Sequence, residues 1–596
     1  MFDGRTATTV LLIGLCVVGV GFAQSLDENW NDFLHYTKIG RFDLAKGYAQ
    51  AVLQGEPDPV KLLELSQDNP QGYDILLRVH AAAPDAELAD LTEQVLGLIE
   101  RGRFIRRSSP KIIVEEIARL STTPRGKLTA TKRLKAAGEY AIPYMLAAMA
   151  DPARRAELSN IIETLPQIGR PAIRPLAAAL QTDNMAVKAE VVRALGKIGY
   201  PQSLAYLKYV VEKSDSAEIR GLAAQSIRQI DPAAAQISAA QLFFQLAENY
   251  YYHSESLAPA KDADAANVWF LNSAGRQLTW KGVDPSYFHE LMAMRCCEWA
   301  LKADERFGNA IGLWLAAFFK AEATGLSMPD YFGEAHAGAL VYATTAGPEY
   351  LHQALARAVR DNNADVALGA VEALATTAGE KSLLYVLGPT QPLLQALSFN
   401  DRAVRYSAAI AMAAAGPVQR FPESRLVVTN LADAISQRNG SAGDTDRWNQ
   451  ELADSYALRA AEVMLKLAES RNAVVDLSLA QAALLGATED ERPEIRILAG
   501  GILAYLDSPA AQRAITAMAL DAGNDLNVRI PAFDSLAVSA KLHASMLSEQ
   551  MIDAIYALIS SDATDPDLRG AAAAAFGALN LPSRKVKDLI LDQAKS

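Results

Sequence analysis

The sequence predicts an all-α fold, an α-solenoid in which short helical hairpins stack in series. The chain has 596 residues, too many for one compact core, so either several domains or a stack of repeats is expected. It is rich in Ala and Leu and has few runs of β-branched residues, a composition that favours helices. A short motif also recurs six times, and its closely spaced copies are about 30 to 40 residues apart, the length of two short helices with their turns.

The recurring motif is an acidic residue, then two or three residues, then an aliphatic residue followed by Arg or Lys. Its copies are Asp183 with Val187-Lys188, Asp215 with Ile219-Arg220, Asp401 with Val404-Arg405, Glu491 with Ile495-Arg496, Asp525 with Val528-Arg529 and Asp565 with Leu568-Arg569. In five of these six copies an Ala follows three positions after the arginine, as Ala223, Ala408, Ala499, Ala532 and Ala572.

Each part of this motif has a physical role. The acidic residue can cap the following helix, and the aliphatic and small residues share one helix face that a neighbouring helix can approach closely. We expect the arginines to be structural, with bonds to turn carbonyls or carboxylates between stacked repeats. These arginines are Arg220, Arg405, Arg496, Arg529 and Arg569.

Glycines mark the ends of units at the same spacing. Gly138, Gly169 and Gly199 are 31 and 30 residues apart, and each follows an apolar helical run that a glycine can terminate. Pro171 and Pro175 then suit the first turn of a new helix. The glycines therefore predict one helix end in each unit of this part of the chain.

The stretch from Ile168 to Gly199, with Asp183 and Val187 in its middle, resembles a bacterial HEAT repeat. The resemblance covers roughly residues 130–235 and 347–596. It implies the fold rather than one activity, because HEAT-like proteins serve as scaffolds, adaptors, regulators and occasionally chromophore lyases.

Two further segments resemble the tetratricopeptide repeat (TPR). The first runs from Tyr36 to Pro57, and the second, from Trp299 to Ala316, resembles the junction between two such units. Four of the six tryptophans lie between Trp269 and Trp314, which distinguishes this middle section from its Ala-rich flanks.

Residues 1–23 have the features of an export signal. Arg5 lies in a short polar start, the run from Val10 to Gly21 has no charge, and small residues precede a cleavage site between Ala23 and Gln24. The apolar run is short for a membrane span, so we expect none in the mature chain. The expected location is periplasmic or extracellular.

These patterns together predict seven segments. They are a signal peptide at 1–23, a TPR-like helical region at 24–105, HEAT-like repeats at 106–235, a TPR-like aromatic-rich helical region at 236–346, HEAT-like repeats at 347–436, a polar loop at 437–449 and C-terminal HEAT-like repeats at 450–596.

Motifs for chemistry are missing from the sequence. It contains no G-x-S-x-G elbow, no P-loop, no H-E-x-x-H and no C-x-x-C, and its seven histidines are scattered. Outside the predicted signal peptide the cysteines are Cys296 and Cys297, neighbours that we expect to pack as buried apolar side chains. We therefore expect no catalytic residue, no metal site and no cofactor.

One segment departs from the acidic average of the chain. Residues 101–135 hold eleven basic and two acidic residues, a formal charge of +9, whereas the whole chain sums to −12. Two interpretations are open: a docking site for an anionic partner, or charges neutralised within the fold. The candidate partner-binding residues are Arg101, Arg103, Arg106, Arg107, Lys111, Arg125, Lys127, Lys132 and Arg133.

The favoured function is a non-catalytic exported scaffold or adaptor for protein partners in the cell envelope. One alternative is a lyase-like HEAT protein, or a binder of a small molecule or glycan, that uses a concave face. Another is a structural protein of envelope assembly. The acidic net charge and the predicted export both argue against a nucleic-acid partner.

Overall fold

The computed structural model describes residues 25–582 except 83–84, 260–264, 273–276, 333–335, 378 and 438–447, and also 584, 586–587 and 590–591. The predicted signal peptide, its cleavage site at Ala23 and Gln24, and most of the predicted polar loop at 437–449 lie outside the described residues.

The described chain is almost entirely helical, which confirms the predicted fold class. It divides into two compact units. Unit 1 contains the described residues up to Ser203 together with Trp269–Trp280, and unit 2 contains the described remainder.

The helices of unit 1 are short apart from α5. They are α1 (Leu26–Lys38), α2 (Phe42–Gln54), α3 (Pro59–Asp68), α4 (Pro70–Ala82), α5 (Ala86–Ser108), α6 (Pro110–Arg119), α7 (Pro124–Ala137), α8 (Ile142–Ala150), α9 (Leu158–Thr164), α10 (Ile173–Ala179) and α11 (Met185–Ile198).

The helices of unit 2 continue the series. They are α12 (Leu204–Lys213), α13 (Ala217–Ile230), α14 (Ala239–Tyr251), α15 (Phe288–Ala303), α16 (Asn309–Glu322), α17 (Ala339–Ala346), α18 (Pro348–Asp361), α19 (Ala364–Thr377), α20 (Glu380–Leu383), α21 (Pro392–Ala396), α22 (Arg402–Ala414), α23 (Ser424–Ile435), α24 (Gln450–Glu469), α25 (Gln481–Ala487), α26 (Pro493–Leu503), α27 (Pro509–Leu520), α28 (Leu526–His543), α29 (Glu549–Ser560) and α30 (Pro566–Ala578).

A pair of strands interrupts the helices within 236–346, a region that was predicted to be helical. Strands β1 (Ala266–Leu271) and β2 (Leu278–Val283) pair as a two-stranded sheet. Each strand is only six residues long and carries Val, Thr, Phe or Trp, residues that pack well on a pleated surface. Segments this short give no helical periodicity to weigh against a strand.

The C-terminal part of unit 2 is a two-layered stack. In one layer α19 packs on α22, α22 on α24, α24 on α26, α26 on α28 and α28 on α30. In the other layer α23 packs on α25, α25 on α27 and α27 on α29. Each helix thus contacts its neighbours in the series, as in a solenoid.

The small and aliphatic residues of the recurring motif lie in the core. The alanines three positions after the arginine are fully buried; they are Ala223, Ala408, Ala499, Ala532 and Ala572. The aliphatic residues before the basic position are also buried; they are Val187, Ile219, Val404, Ile495, Val528 and Leu568. The methyl side chains of the alanines let the next helix approach closely, which explains why the motif recurs along the stacked hairpins.

The acidic residues of the motif cap helices less regularly than expected. Asp401 accepts hydrogen bonds from the first backbone N–H groups of α22, and Asp565 does so at α30. At α11 and α13 the caps are instead Asn184 and Ser216, each one residue after the predicted Asp183 and Asp215. Short polar side chains in adjacent turn positions compete for the same donors, and sequence spacing does not decide between them.

Asp525 departs from the expectation in a different way. It occupies the N-cap position of α28, yet its side chain accepts no hydrogen bond from that helix.

The predicted glycines do end helical segments. Their φ values, which favour glycine, are +60° at Gly138, +76° at Gly169 and +78° at Gly199.

Candidate partner-binding surface

The basic segment lies on three packed helices of unit 1. The run from Arg101 to Arg107 forms the last turns of α5, Lys111 and Arg119 lie on α6, and the remaining members lie on α7. These three helices pack on one another. The segment is therefore an ordered helical surface rather than a loop.

Part of the charge is neutralised at a buried carboxylate. Oε1 of Glu116 accepts hydrogen bonds from Arg119 at 2.8 Å and from Arg133 at 2.6 Å. Glu116 is 3% exposed, and the two guanidinium groups reach it from α6 and α7. This ion pair network fixes α6 to α7 and is part of the fold.

Three other members have partners within unit 1. Arg103 pairs with Glu100 at 2.8 Å and Lys127 with Glu163 at 2.7 Å. The guanidinium of Arg106 donates to Gln67 at 3.0 Å, and its partial burial lowers its pKa.

Five further basic side chains of the segment project into solvent. Arg101, Lys111, Arg125, Lys132 and Lys135 are exposed, and none forms an ion pair with a residue that the structure describes. We call these five residues the basic face. An exposed cation that is not held in an ion pair can attract an external anion, within the limits of salt screening.

An apolar side chain lies within the basic face. On α7, Arg125, Leu128 and Lys132 are three and four residues apart and therefore share one side of the helix. Leu128 is 73% exposed, among the most exposed large apolar residues in the described chain. Leu128 thus adds apolar surface among the cations of α7.

A row of aromatic rings, missed in the sequence, also lies in unit 1. The ring of Tyr140 is 5.9 Å from Phe104 on α5 and 5.6 Å from Trp280 on β2, and Trp280 is 5.1 Å from Trp269 on β1. We call these four residues the aromatic row. The guanidinium of Arg107 lies 5.5 Å from the Phe104 ring and 5.9 Å from Tyr140. The rings come from three distant segments, so no local pattern predicts them.

A carboxylate holds one end of the aromatic row in place. Nε1 of Trp269 donates to Oε2 of Glu139 at 2.8 Å, and Arg174 forms an ion pair with the same oxygen at 3.2 Å. The Glu139 side chain is 13% exposed. This bond fixes the orientation of the indole and, through ring contact, that of Trp280.

Unit 2 contains a cluster of ionisable side chains around Glu290 on α15. Its Oε1 is 3.0 Å from Nζ of Lys320 and 2.5 Å from Nε2 of His253, and Lys320 also donates to the carbonyl of Tyr251 at 2.9 Å. Glu290 is 2% exposed. Burial opposes its charge, but the bonds from His253 and Lys320 outweigh burial, so the pKa of Glu290 is lowered. The cluster ties α14, α15 and α16 together.

The three consecutive tyrosines at the end of α14 point in different directions. Tyr250 and Tyr251 are buried, whereas Tyr252 is 47% exposed. The Tyr252 hydroxyl donates to Asp361 at 2.8 Å and accepts from Arg357 at 2.7 Å. The exposed tyrosine therefore joins α14 to α18 rather than standing free.

Cys296 and Cys297 are both fully buried in α15. Burial raises the pKa of Cys296 to about 12, and the pKa of Cys297 is also raised well above its usual value. Both thiols therefore stay protonated and pack as small apolar groups.

Among the described residues, no group of three or more His, Cys, Asp or Glu could hold a metal ion. No described helix has the length and apolarity to cross a bilayer.

Unit 2 contains a cavity of a size that bears on the alternative function as a small-molecule binder. It has a volume of about 310 Å³ and lies at the ends of α24, α26 and α28, between Leu467, Tyr505 and His543. His543 of this cavity lies 3.9 Å from Asp507, beyond hydrogen-bond distance.

The motif arginines differ in what they contact. Arg220 donates to the carbonyls of Ser214 and Asp215 at 2.8 and 2.9 Å. Arg529 donates to the carbonyl of Ala519 at 3.0 Å. Arg569 instead lies 3.6 Å from the exposed carboxylate of Asp562.

Arg496 departs from this arrangement, because its buried Nε has no hydrogen-bond partner in the described structure. Its position in the motif therefore does not by itself predict a bond to the turn.

Replacing Arg405 by Ala is expected to lower the free energy of unfolding of unit 2 by about 1–3 kcal/mol. Its guanidinium donates to the carbonyls of Phe399 and Asn400 at 2.8 and 3.0 Å, and both acceptors would lose a charge-assisted bond. Urea denaturation measures the change. Arg569→Ala is the control and should cost at most about 1 kcal/mol, since its ion pair is largely exposed. Equal losses would contradict the assignment of Arg405.

Comparison with known proteins agrees with the class that the fold defines. A family model for HEAT repeats matches residues 139–228. No curated protein matches the chain. The match places HEAT repeats at these residues, and the stacked helical hairpins give the described chain the fold of a HEAT-like α-solenoid.

Solved structures of helical proteins align along most of the chain. Yeast importin-β (Kap95p) is 14% identical, with 96% of this chain and 70% of that chain covered and a TM-score of 0.27. She4p is 12% identical, with 94% and 85% covered and a TM-score of 0.28. SYS-1 is 10% identical, with 94% and 100% covered and a TM-score of 0.29.

Proposed function

We propose that this protein is a non-catalytic scaffold that binds an acidic protein partner through the basic face of unit 1. We also propose that it works outside the cytoplasm, as the features of residues 1–23 predict. One observation carries the binding proposal: five exposed basic side chains between residues 101 and 135 form no ion pair with a described residue.

The pairing within the segment supports this choice of surface. Other basic side chains of the segment are neutralised by carboxylates of unit 1, namely those of Glu100, Glu116 and Glu163. The five residues of the basic face form no ion pair with a described residue, although the rest of the chain is acidic. An external acidic surface would supply the missing charge, and long-range attraction would also speed its encounter with unit 1.

The exposed Leu128 favours a protein over a free anion as the partner. A small anion gains nothing from apolar surface, whereas a protein interface combines a buried apolar centre with a charged rim. Leu128 lies between Arg125 and Lys132 on α7, which gives the basic face this combination.

Charge reversal tests the proposal. The variant carries four changes to Glu, at Arg101, Lys111, Arg125 and Lys132. Capture of partner proteins from an envelope extract, quantified by mass spectrometry at increasing salt, is expected to show about 100-fold weaker binding. The melting temperature should stay within about 2 °C, since these side chains make no ion pair with a described residue.

The control variant carries the same change of net charge elsewhere. It reverses four other exposed basic residues that form no ion pair with a described residue: Lys197, Lys213, Arg228 and Lys466. Binding by this variant should stay within about threefold of wild type. If both variants lose binding equally, only the net charge matters and the basic face is not the docking site.

A further inference from the structure

The aromatic row and the basic face share helix α5. Phe104 of the row lies three residues after Arg101 of the face, so both side chains project from the same side of the helix. Arg107, one turn further on, covers the rings of Phe104 and Tyr140. The cationic and aromatic surfaces are therefore continuous.

We infer that the aromatic row binds an aromatic side chain of the partner, within a linear segment whose flanking residues are acidic. This inference rests on the proposed function and specifies the partner's chemistry at the same surface. Phe104 is 45% exposed and Trp280 is 38% exposed, while Tyr140 between them is 5% exposed. Phe104 and Trp280 thus present apolar surface to solvent on either side of the buried Tyr140 ring.

The ring geometry supports a binding role. The planes of Phe104 and Tyr140 meet at 85°, and those of Tyr140 and Trp280 at 76°. Rings packed edge to face leave a stepped surface with both faces and edges available, the arrangements that a further aromatic ring prefers. Trp, Tyr and Arg are also the residues most enriched among those that dominate binding energy.

The row is held rigid before any partner binds. Trp269 is fixed by its bond to Glu139, and Glu139 by Arg174, so the ring pair of Trp269 and Trp280 has a defined orientation. Binding to such a surface costs little side-chain entropy.

The cations beside the exposed rings favour an acidic peptide segment. The guanidinium of Arg107 covers the row, and Arg101 projects from the same side of α5. Cations beside exposed rings complement a segment in which Asp or Glu flank an aromatic residue.

Selection from a displayed library of random peptides on the full chain tests the inference. The expected consensus is an aromatic residue flanked by Asp or Glu. Affinity for a selected peptide should fall 10- to 50-fold in Phe104→Ala and in Trp280→Ala, and Trp280→Phe should restore most of it. A peptide with Ala in place of its aromatic residue should bind all these variants and wild type equally.

The matched control is Tyr200→Ala, which removes another exposed ring of unit 1 and should leave affinity unchanged. An acidic consensus without an aromatic residue, or affinity unaffected by both Ala variants, would overturn the inference and leave the proposed function standing. Loss of oligosaccharide binding in Trp280→Ala, with no effect on peptides, would identify a sugar platform instead. Absence of any acidic consensus would count against the proposed function as well.

Discussion

Replacing Lys320 by Met is expected to lower the free energy of unfolding of unit 2 by about 3–5 kcal/mol. The ammonium group lies 3.0 Å from Oε1 of Glu290, a carboxylate that is 2% exposed. Oε2 of Glu290 has no hydrogen-bond partner in the described structure, so the charge depends on the contacts of one oxygen. Without the ammonium group the carboxylate stays buried and loses its main compensating charge.

Urea denaturation followed by circular dichroism measures this loss. Lys281→Met is the matched control, because it removes a lysine from an ion pair with Asp330, whose side chain is 85% exposed. Surface pairs of this kind contribute about 0–1 kcal/mol. Similar losses of unfolding free energy in the two variants would show that the Lys320–Glu290 ion pair contributes no more than an ordinary surface pair.

The loss is also expected to depend on pH. The pKa of Glu290 is lowered in the folded chain, so its charge contributes stability that is fully present above the ordinary carboxyl value of 4.5. That contribution disappears as the pH falls through the lowered pKa. In Lys320→Met the buried carboxylate protonates more readily, so the deficit should be full at pH 7 and shrink towards pH 4. A deficit independent of pH would contradict a role for the charge.

Gly102→Ala is expected to destabilise unit 1 by about 3 kcal/mol or more. A Cβ atom at this position on α5 would lie 2.0 Å from the carbonyl oxygen of Pro59, at the start of α3. The obstacle is backbone and cannot rotate away, so α5 would have to move off α3. Because α5 also carries part of the basic face and the aromatic row, partner affinity should fall with stability.

The same helix supplies the control for this substitution. Gly97 is exposed on α5, and a Cβ atom there would meet nothing within 4 Å. Gly97→Ala should therefore raise the free energy of unfolding by about 0.5–1 kcal/mol, since Ala favours a helix over Gly. Thermal melting of the two variants should shift in opposite directions; shifts of the same sign would contradict the packing of α5 on α3.

The repeat architecture could be predicted because its determinants are local. An aliphatic residue and a small residue four positions apart define one helix face, and the burial of Val404 and Ala408 follows from that spacing. Caps such as Asn184 were harder to place, because neighbouring polar residues in a turn compete for the same backbone donors.

The surface features could be predicted only in part. The excess of basic residues at 101–135 is visible in the composition. The sequence does not show that Arg103 is paired while Arg101 forms no ion pair with a described residue. That distinction depends on which carboxylate the packed helices bring within reach. The aromatic row was beyond prediction because Tyr140 and Trp280 are 140 residues apart and meet only through the fold.

Site-specific photocrosslinking tests most directly whether the basic face is where a partner docks. A photoreactive amino acid at Leu128, which is 73% exposed, would be compared with one at Val418 in unit 2, which is 77% exposed. The predicted result is a discrete acidic protein crosslinked from position 128, lost at high salt and in the variant with four reversed charges, and not crosslinked from position 418. The same products from both positions, or a product at position 128 that survives high salt and charge reversal, would contradict docking on the basic face.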